Sequence, residues 1–221
     1  GYVRLVDHLG SDLTIVNSAR VSYDKQVDEL SAKDKGLINF LAKHDHTSPF
    51  RHGLLQFEVY APLMIARQWW KYVAGSDHTM EAWNESSRRY LSEQPEFYII
   101  QPNEWRGAPE NSKQGSGELL HTQDGEYWTQ ELVEYIEAGV AKYELAIARG
   151  VCAEQARAFL PAYGLYVRWY WTGSVQSVAH LINQRTKQDA QHEFQLYAHA
   201  VKELASKQFP IAIDKLTGGN E

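Results

Sequence analysis

Hydrophobic periodicity along the 221 residues switches repeatedly between the two-residue repeat of a strand and the 3.6-residue repeat of a helix, and it never settles into regular β-α-β alternation. A chain patterned in this way reads as α+β, or irregular α/β: a mixed, largely antiparallel sheet packed with long helices, in a single domain over 1–221. Strands are expected over Tyr2–Leu9, Leu54–Val59, Ser86–Leu91, Glu96–Ile100 and Leu165–Trp171, with the FYII run of 97–100 as the central one. Ser11, Ser31 and Ser174 stand where helix N-caps belong, and Pro62 suits a first helical position. Leu132, Val133, Ile136, Val140, Tyr143 and Ile147 recur at helical spacing up to Gly150. A short helix over Glu154–Leu160 stops at Pro161, and a long one is expected over Asp189–Gln208. Ahead of these helices, 101–124 turns to Asn, Gly, Ser, Gln and Pro, the composition of a mobile surface insertion.

Composition narrows the function classes. Hydrophobic content of 43% with charged content of 23% is that of a soluble globular protein able to bury its own core. A net charge of -6 disfavours nonspecific binding to nucleic acid or to an anionic membrane. No apolar run is long enough for a membrane span and GYVRLVDHL has no signal-peptide layout, so a cytoplasmic location is expected. Cys152, alone, excludes an internal disulfide and a Cys-rich metal site, and its apolar neighbours predict a packed thiol. His44 and His46 lack an HxxH or HExxH partner, and no metal is expected.

Chemistry concentrates between Arg67 and Tyr90. The apolar run Ala61–Trp70 leads into a polar loop and then Asn84-Glu85-Ser86-Ser87-Arg88-Arg89-Tyr90, a set of carboxylate, hydroxyls and guanidiniums suited to a polar, phosphorylated, planar molecule. Neither GxxxxGK[ST] nor GxGxxG occurs, so phosphate must be held by side chains, for which Arg67, Arg88, Arg89, Arg157 and Arg185 are the candidates. Arg185 lies at the junction of two helices. A permanent cation beside a heterocycle carbonyl stabilises the anionic ring, an effect of roughly 3 kcal/mol in oxyanion sites. Without a GxSxG elbow, Ser86 and Ser87 are not acyl-transfer nucleophiles.

The blocks DLTIVNSARVSYD, HDHTSPFRH, APLMIARQWW, NESSRRY, ARAFLP, LYVRWYWT and INQRTKQDAQHEFQLYA, in that order, resemble the flavin-dependent thymidylate synthases over about 1–209. The resemblance implies FAD-dependent reductive methylation of dUMP at carbon 5, with methylenetetrahydrofolate as carbon donor and NADPH as reductant, in a homotetramer with sites built between subunits. An alternative is a relative that acts on UMP or adds hydroxymethyl. Carried over by position, Gln68, Glu85, Ser86, Ser87, Arg88, Arg89 and Arg157 would hold the nucleotide. Arg185 would activate the uracil, and Ser87 would position the substrate without attacking it. For FAD the match brings in His46, Ser48, Gln176, His180, Gln184 and Asp189. The chain departs from the family at its Arg-His-Arg signature. After Gln68-Trp69-Trp70 it has Lys71-Tyr72-Val73 and then thirteen residues before Ser87, where the family has seven. Either Lys71 stands for the first Arg or His78 for the middle His, and the positive charge near the flavin falls in both cases.

Overall fold

A computed structural model describes residues 1–74, 82–87, 94–110 and 115–218. The fold is mixed α+β. Its four-stranded antiparallel sheet comprises β1 (Tyr2–Leu9), β2 (Leu54–Pro62), β3 (Ala82–Glu85) and β4 (Tyr166–Ser174), in the order β1-β2-β4-β3. The helices among the described residues are α1 (Asp12–Arg20), α2 (Ala32–Lys43), α3 (Leu63–Ala74), α4 (Thr122–Ala148), α5 (Ala153–Ala156), α6 (Val175–Arg185), α7 (His192–Gln208) and α8 (Pro210–Thr217). The chain divides into two compact units, one of residues 60–68 and 85–169 with Gly1, the other of 2–59, 69–84 and 170–221.

In the second unit the helix caps follow the sequence closely. Ser11 and Thr14 form a capping box on α1, and Ser31 and Asp34 form one on α2. Asp34, buried, also pairs with Arg20 and so joins α1 to α2. α2 ends in a Schellman motif: Asp45 adopts φ 54, and the His46 N–H reaches the Leu41 carbonyl at 2.9 Å. Asp12 does a job that no local pattern announces. Its buried carboxylate accepts the Ile211 N–H at 2.8 Å and the Ala212 N–H at 2.9 Å, closing the start of α8 from across the unit. Burial raises the Asp12 pKa, and those two backbone bonds oppose the rise. Phe57, Trp171, Trp69 and Phe194 form a buried aromatic core, with α6, α7 and α8 packed on one another around it.

On the sheet, Glu58 is buried on β2. It accepts the Tyr2 hydroxyl at 2.5 Å and the Arg4 guanidinium at 2.6 Å. Those two bonds, with a further one from Tyr170, hold its carboxyl down at about 2.

In the first unit, α4 carries the weight. Gly139 on α4 allows the 157–161 turn to approach: a Cβ there would lie 2.8 Å from the Phe159 carbonyl and 2.8 Å from Pro161 Cδ. Gly150, at φ 87, closes the helix with the Val151 N–H bonded to the Ala146 carbonyl. Tyr60 and Tyr166 stack at 4.8 Å, and the Tyr60 hydroxyl donates to Glu96. Burial first, and Glu96 next, push the Tyr60 phenol up in pKa.

Several expectations need correction. Of the strand expected at Ser86–Leu91 only Ser86 and Ser87 can be compared, and the described strand here, β3, lies before them at Ala82–Glu85. Ser86 and Ser87 are outside it, and 88–91 fall outside the described residues. Glu96–Ile100 is no central strand. It touches β4's approach through a single Phe97–Leu165 bridge flanked by two backbone bonds, and Pro95 and Pro102 bracket it. Pro62 ends β2 and does not open α3. α7 begins at His192, leaving Asp189 in the preceding turn, and α8 is an additional helix beyond those the periodicity predicts. Cys152 is exposed because it is the extended N-cap residue of α5. Within 101–124, the Trp105 indole donates to the Thr129 hydroxyl at 2.9 Å, which donates to the Ile100 carbonyl at 2.8 Å, and buried Gly125, just beyond, lies against Pro102. α4 starts inside that stretch, at Thr122.

Candidate active site

The residues singled out in the sequence fall into two groups, one in each unit. In the first unit, Glu85, the last residue of β3, is exposed. Ser86 follows and is fixed to β4 twice: its N–H donates to the Arg168 carbonyl at 2.8 Å, and its hydroxyl oxygen accepts the Arg168 N–H at 3.0 Å. That two-point attachment sets the chain direction into Ser87, which is half-buried, as is Gln68 on α3. Arg88 and Arg89 lie outside the described residues. Arg157 sits on the turn after α5 with its side chain exposed, and its Nε donates to the Glu154 carbonyl at 3.2 Å. That bond uses the Nε donor of the guanidinium fork.

In the second unit, two segments assemble donors. The Schellman turn places His46 exposed, and the 3₁₀ turn Ser48–Arg51 begins with Ser48, also exposed. Arg51, which no sequence motif singles out, donates from Nε to Gln176 Oε1 at 2.9 Å and so links that turn to the first residues of α6. Ser174 caps α6 by accepting the Ser177 N–H at 3.2 Å. Along α6, His180 is exposed, Gln184 accepts the Lys187 ammonium at 3.1 Å, and Arg185 ends the helix. Lys71 is exposed on the last turn of α3. His78 lies outside the described residues. Asp189 is exposed in the turn before α7 and is not on a helix.

Arg185 has the most specific surroundings. Its guanidinium carbon is 5.3 Å from the centroid of the Tyr72 ring and 5.1 Å from that of Phe194. Both distances are within cation–π range. Its Nε is buried without a hydrogen-bond partner among the described residues. The Tyr72 ring also meets His180 at 5.6 Å. Burial raises the pKa of the Tyr72 phenol, and the charge of Arg185 and a hydrogen bond with it act in the other direction. The phenol is therefore neutral at physiological pH. The sequence gives no sign of Tyr72 because an aromatic three residues after Trp69 continues the buried stripe of α3.

The fit of FAD can be judged on this donor set. His46, Ser48, Lys71, Gln176 and His180 offer hydroxyl, ammonium, amide and imidazole groups in the same unit, mostly exposed, which suits a ligand with a diphosphate and a polar ring edge. The residues present fit the group.

An α+β sheet of this order has counterparts among nucleotide methylases. A UMP/dUMP methylase from Streptomyces cacaoi, solved with 5-bromo-dUMP, superposes with a TM-score of 0.82 over 98% of this chain and 94% of its own, at 25% identity. The family described as thymidylate synthase complementing protein matches residues 4–211, and the chain belongs to it. Flavin-dependent thymidylate synthases are similar throughout. That of Wolbachia pipientis wMel is 34% identical over 212 residues, 96% of this chain and 72% of the relative. That of a Thermus thermophilus strain is 35% identical over 214 residues, 96% of this chain and 74% of the relative. Membership makes the chain an enzyme of the methyl-transferring class that works with FAD.

Proposed function

We propose that the chain methylates carbon 5 of dUMP to give dTMP, taking the carbon from methylenetetrahydrofolate and the reducing equivalents from NADPH. The observation that carries this reading is Arg185, a permanent cation held among rings with a buried, unbonded Nε. Carbon 5 of a uracil attacks through an anionic form of the ring, in which negative charge is shared with the ring's oxygens and nitrogen, and reaching that form is part of the barrier to attack. A fixed guanidinium in water-poor surroundings lowers that barrier by about 3 kcal/mol. Carbon 5 gives up its hydrogen as a proton and ends with the methyl group.

Arg157, with Arg88 and Arg89, binds the phosphate, for which guanidinium forks are matched in geometry. Glu85, an acceptor only when ionised, suits a sugar hydroxyl. Gln68 and Ser87 hold the base edge, with Ser87 positioning substrate, and Ser86 belongs to the same segment. His46, Ser48, Lys71, Gln176, His180, Gln184, Asp189 and His78 form the flavin's share of the site. FAD, when bound, supplies the relay of one-carbon unit and hydride. The chain's own residues bind, orient and neutralise charge. Residues 1–221 act as one enzyme domain, with 101–124 as its surface insertion, in a cytoplasmic homotetramer. No helix among the described residues is long and apolar enough to cross a membrane.

A second reading, methylation of UMP, is favoured by one observation: the structurally similar Streptomyces cacaoi protein is described as a UMP/dUMP methylase. Tritium release from carbon 5 separates the two. With FAD, methylenetetrahydrofolate and NADPH supplied, dUMP should release tritium faster than UMP. No release from dUMP would sink the main reading, and faster release from UMP would replace it with the second.

A further inference from the structure

The surroundings of Arg185 have a feature that its role in charge stabilisation does not by itself require. An arginine in a binding site is commonly fixed by hydrogen bonds along its stem and fork. At Arg185 the Nε makes no such bond among the described residues. What faces the guanidinium is aromatic, and one of the two rings, Tyr72, also brings its hydroxyl to it. Phe194, at 5.1 Å, is fully buried and stacks on Trp69 at 5.5 Å, and Trp69 meets Trp171 edge-on at 5.5 Å. This wall is part of the core, and its position is set by packing.

The second ring is different. Tyr72 is only half-buried, sits on the last described turn of α3, and leans on His180 of the same helix that carries Arg185. Three side chains from two helices, Tyr72, His180 and Arg185, thus brace one another. A stem with one unbonded nitrogen has free torsions until ring contacts limit them, and of the two rings Tyr72 is the one not locked into the core.

We propose that Tyr72 is a positioning residue for Arg185: its ring, with Phe194 as the fixed wall, sets the direction in which the guanidinium meets the substrate's base. Tyr72 acts through Arg185 and touches no reacting atom. The inference rests on the reading of Arg185 as the group that binds and activates the uracil. It also gives the residue that follows Lys71 a function suited to this chain's own departure from the Arg-His-Arg signature.

A double-mutant cycle on the FAD-loaded full chain tests it, with wild type, Tyr72→Leu, Arg185→Lys and the double variant, and with Tyr72→Phe as the conservative control. The dissociation constant for dUMP is measured by calorimetry, which needs no turnover, and kcat and KM by tritium release. Thermal melts check folding, and Tyr72→Met, equally without a π face, replaces leucine if the leucine variant melts early. Tyr72→Leu should weaken dUMP binding and lower kcat by about tenfold each, whereas Tyr72→Phe, which keeps the ring and loses only the hydroxyl's bond to the guanidinium, should stay within about threefold of wild type. In the Arg185→Lys background the leucine substitution should have no further effect. Additive losses, or a phenylalanine variant as poor as the leucine one, would overturn the role of Tyr72 while leaving that of Arg185 standing. Wild-type binding and kcat in Arg185→Lys would instead bring down the reading of Arg185 and this inference with it.

Discussion

Two arginines assigned to the same substrate are held in opposite ways. Arg185 lies beside the ring of buried Phe194, at 5.1 Å, and that of half-buried Tyr72, at 5.3 Å, with its Nε out of water. Arg157 stands exposed on a short turn, tied only at Nε to the Glu154 carbonyl among the bonds described for it. The difference matches the tasks proposed for them. A group that must stabilise charge arising during reaction works best when fixed beforehand in surroundings of low dielectric. A group that captures a phosphate dianion already charged in solution works from the surface, where it can be reached and where salt can compete. On the proposed reading, two identical side chains are suited one to chemistry and the other to capture by what surrounds them.

The contrast can be broken by substitution. Arg185→Ala should lower kcat by roughly 10²–10³-fold, with FAD still bound by its absorption spectrum. Arg157→Ala should raise KM for dUMP by roughly 10–100-fold, the range of a charge-assisted hydrogen bond, with kcat little changed. The KM effect should shrink as salt is added, because wild-type binding through an exposed cation weakens with screening. An Arg157→Ala enzyme that lost kcat and kept KM would erase the distinction. Lys71→Ala should weaken FAD binding by a few-fold, in keeping with an exposed cation, as read by fluorescence titration of the flavin.

The smallest expected effect concerns Glu58, which is not among the residues proposed for the reaction. Its carboxyl is held at about 2 by Tyr2, Arg4 and Tyr170, below the 4.5 of an unperturbed Glu. A pKa depressed in the folded state means stabilisation that is complete above the unfolded value and lost as pH falls through the folded one. The wild-type melting temperature should therefore drop between pH 4.5 and about 2. Glu58→Gln should show a flatter slope over that window and near-normal turnover at pH 7. An unchanged slope in Glu58→Gln would show that other carboxyls govern acid unfolding.

Where a structural signal is local, the sequence discloses it. Ser11 with Thr14 and Ser31 with Asp34 mark their helices because a capping box is made within four residues. The aromatic alternation of β4 and the Ser174 cap of α6 are legible for the same reason. Where the deciding partner is remote, reading the chain fails. α8 depends on Asp12, which lies 199 positions from Ile211. β3 ends at Glu85, and Ser86 meets the Arg168 N–H with its hydroxyl oxygen, a contact with a residue 82 positions away. The composition of 101–124 speaks of solvent, while Trp105 within it and Gly125 at its end make contacts that only the fold creates.

Among candidate site residues, motif order points to the ones that carry charge or hydroxyls. It is silent on Tyr72 and Arg51, whose partners, Arg185 and Gln176, come from a helix more than a hundred residues later. An aromatic on an amphipathic helix looks like core from sequence alone, and only the position of the Arg185 guanidinium distinguishes it.

The central claim is a reaction, and its product is the most direct test. Incubation of the purified chain with dUMP, methylenetetrahydrofolate, NADPH and FAD, followed by mass spectrometry of the nucleotide, should yield dTMP, and omission of FAD should abolish it. Recovery of unchanged dUMP, or of the hydroxymethyl nucleotide in place of dTMP, would contradict the account.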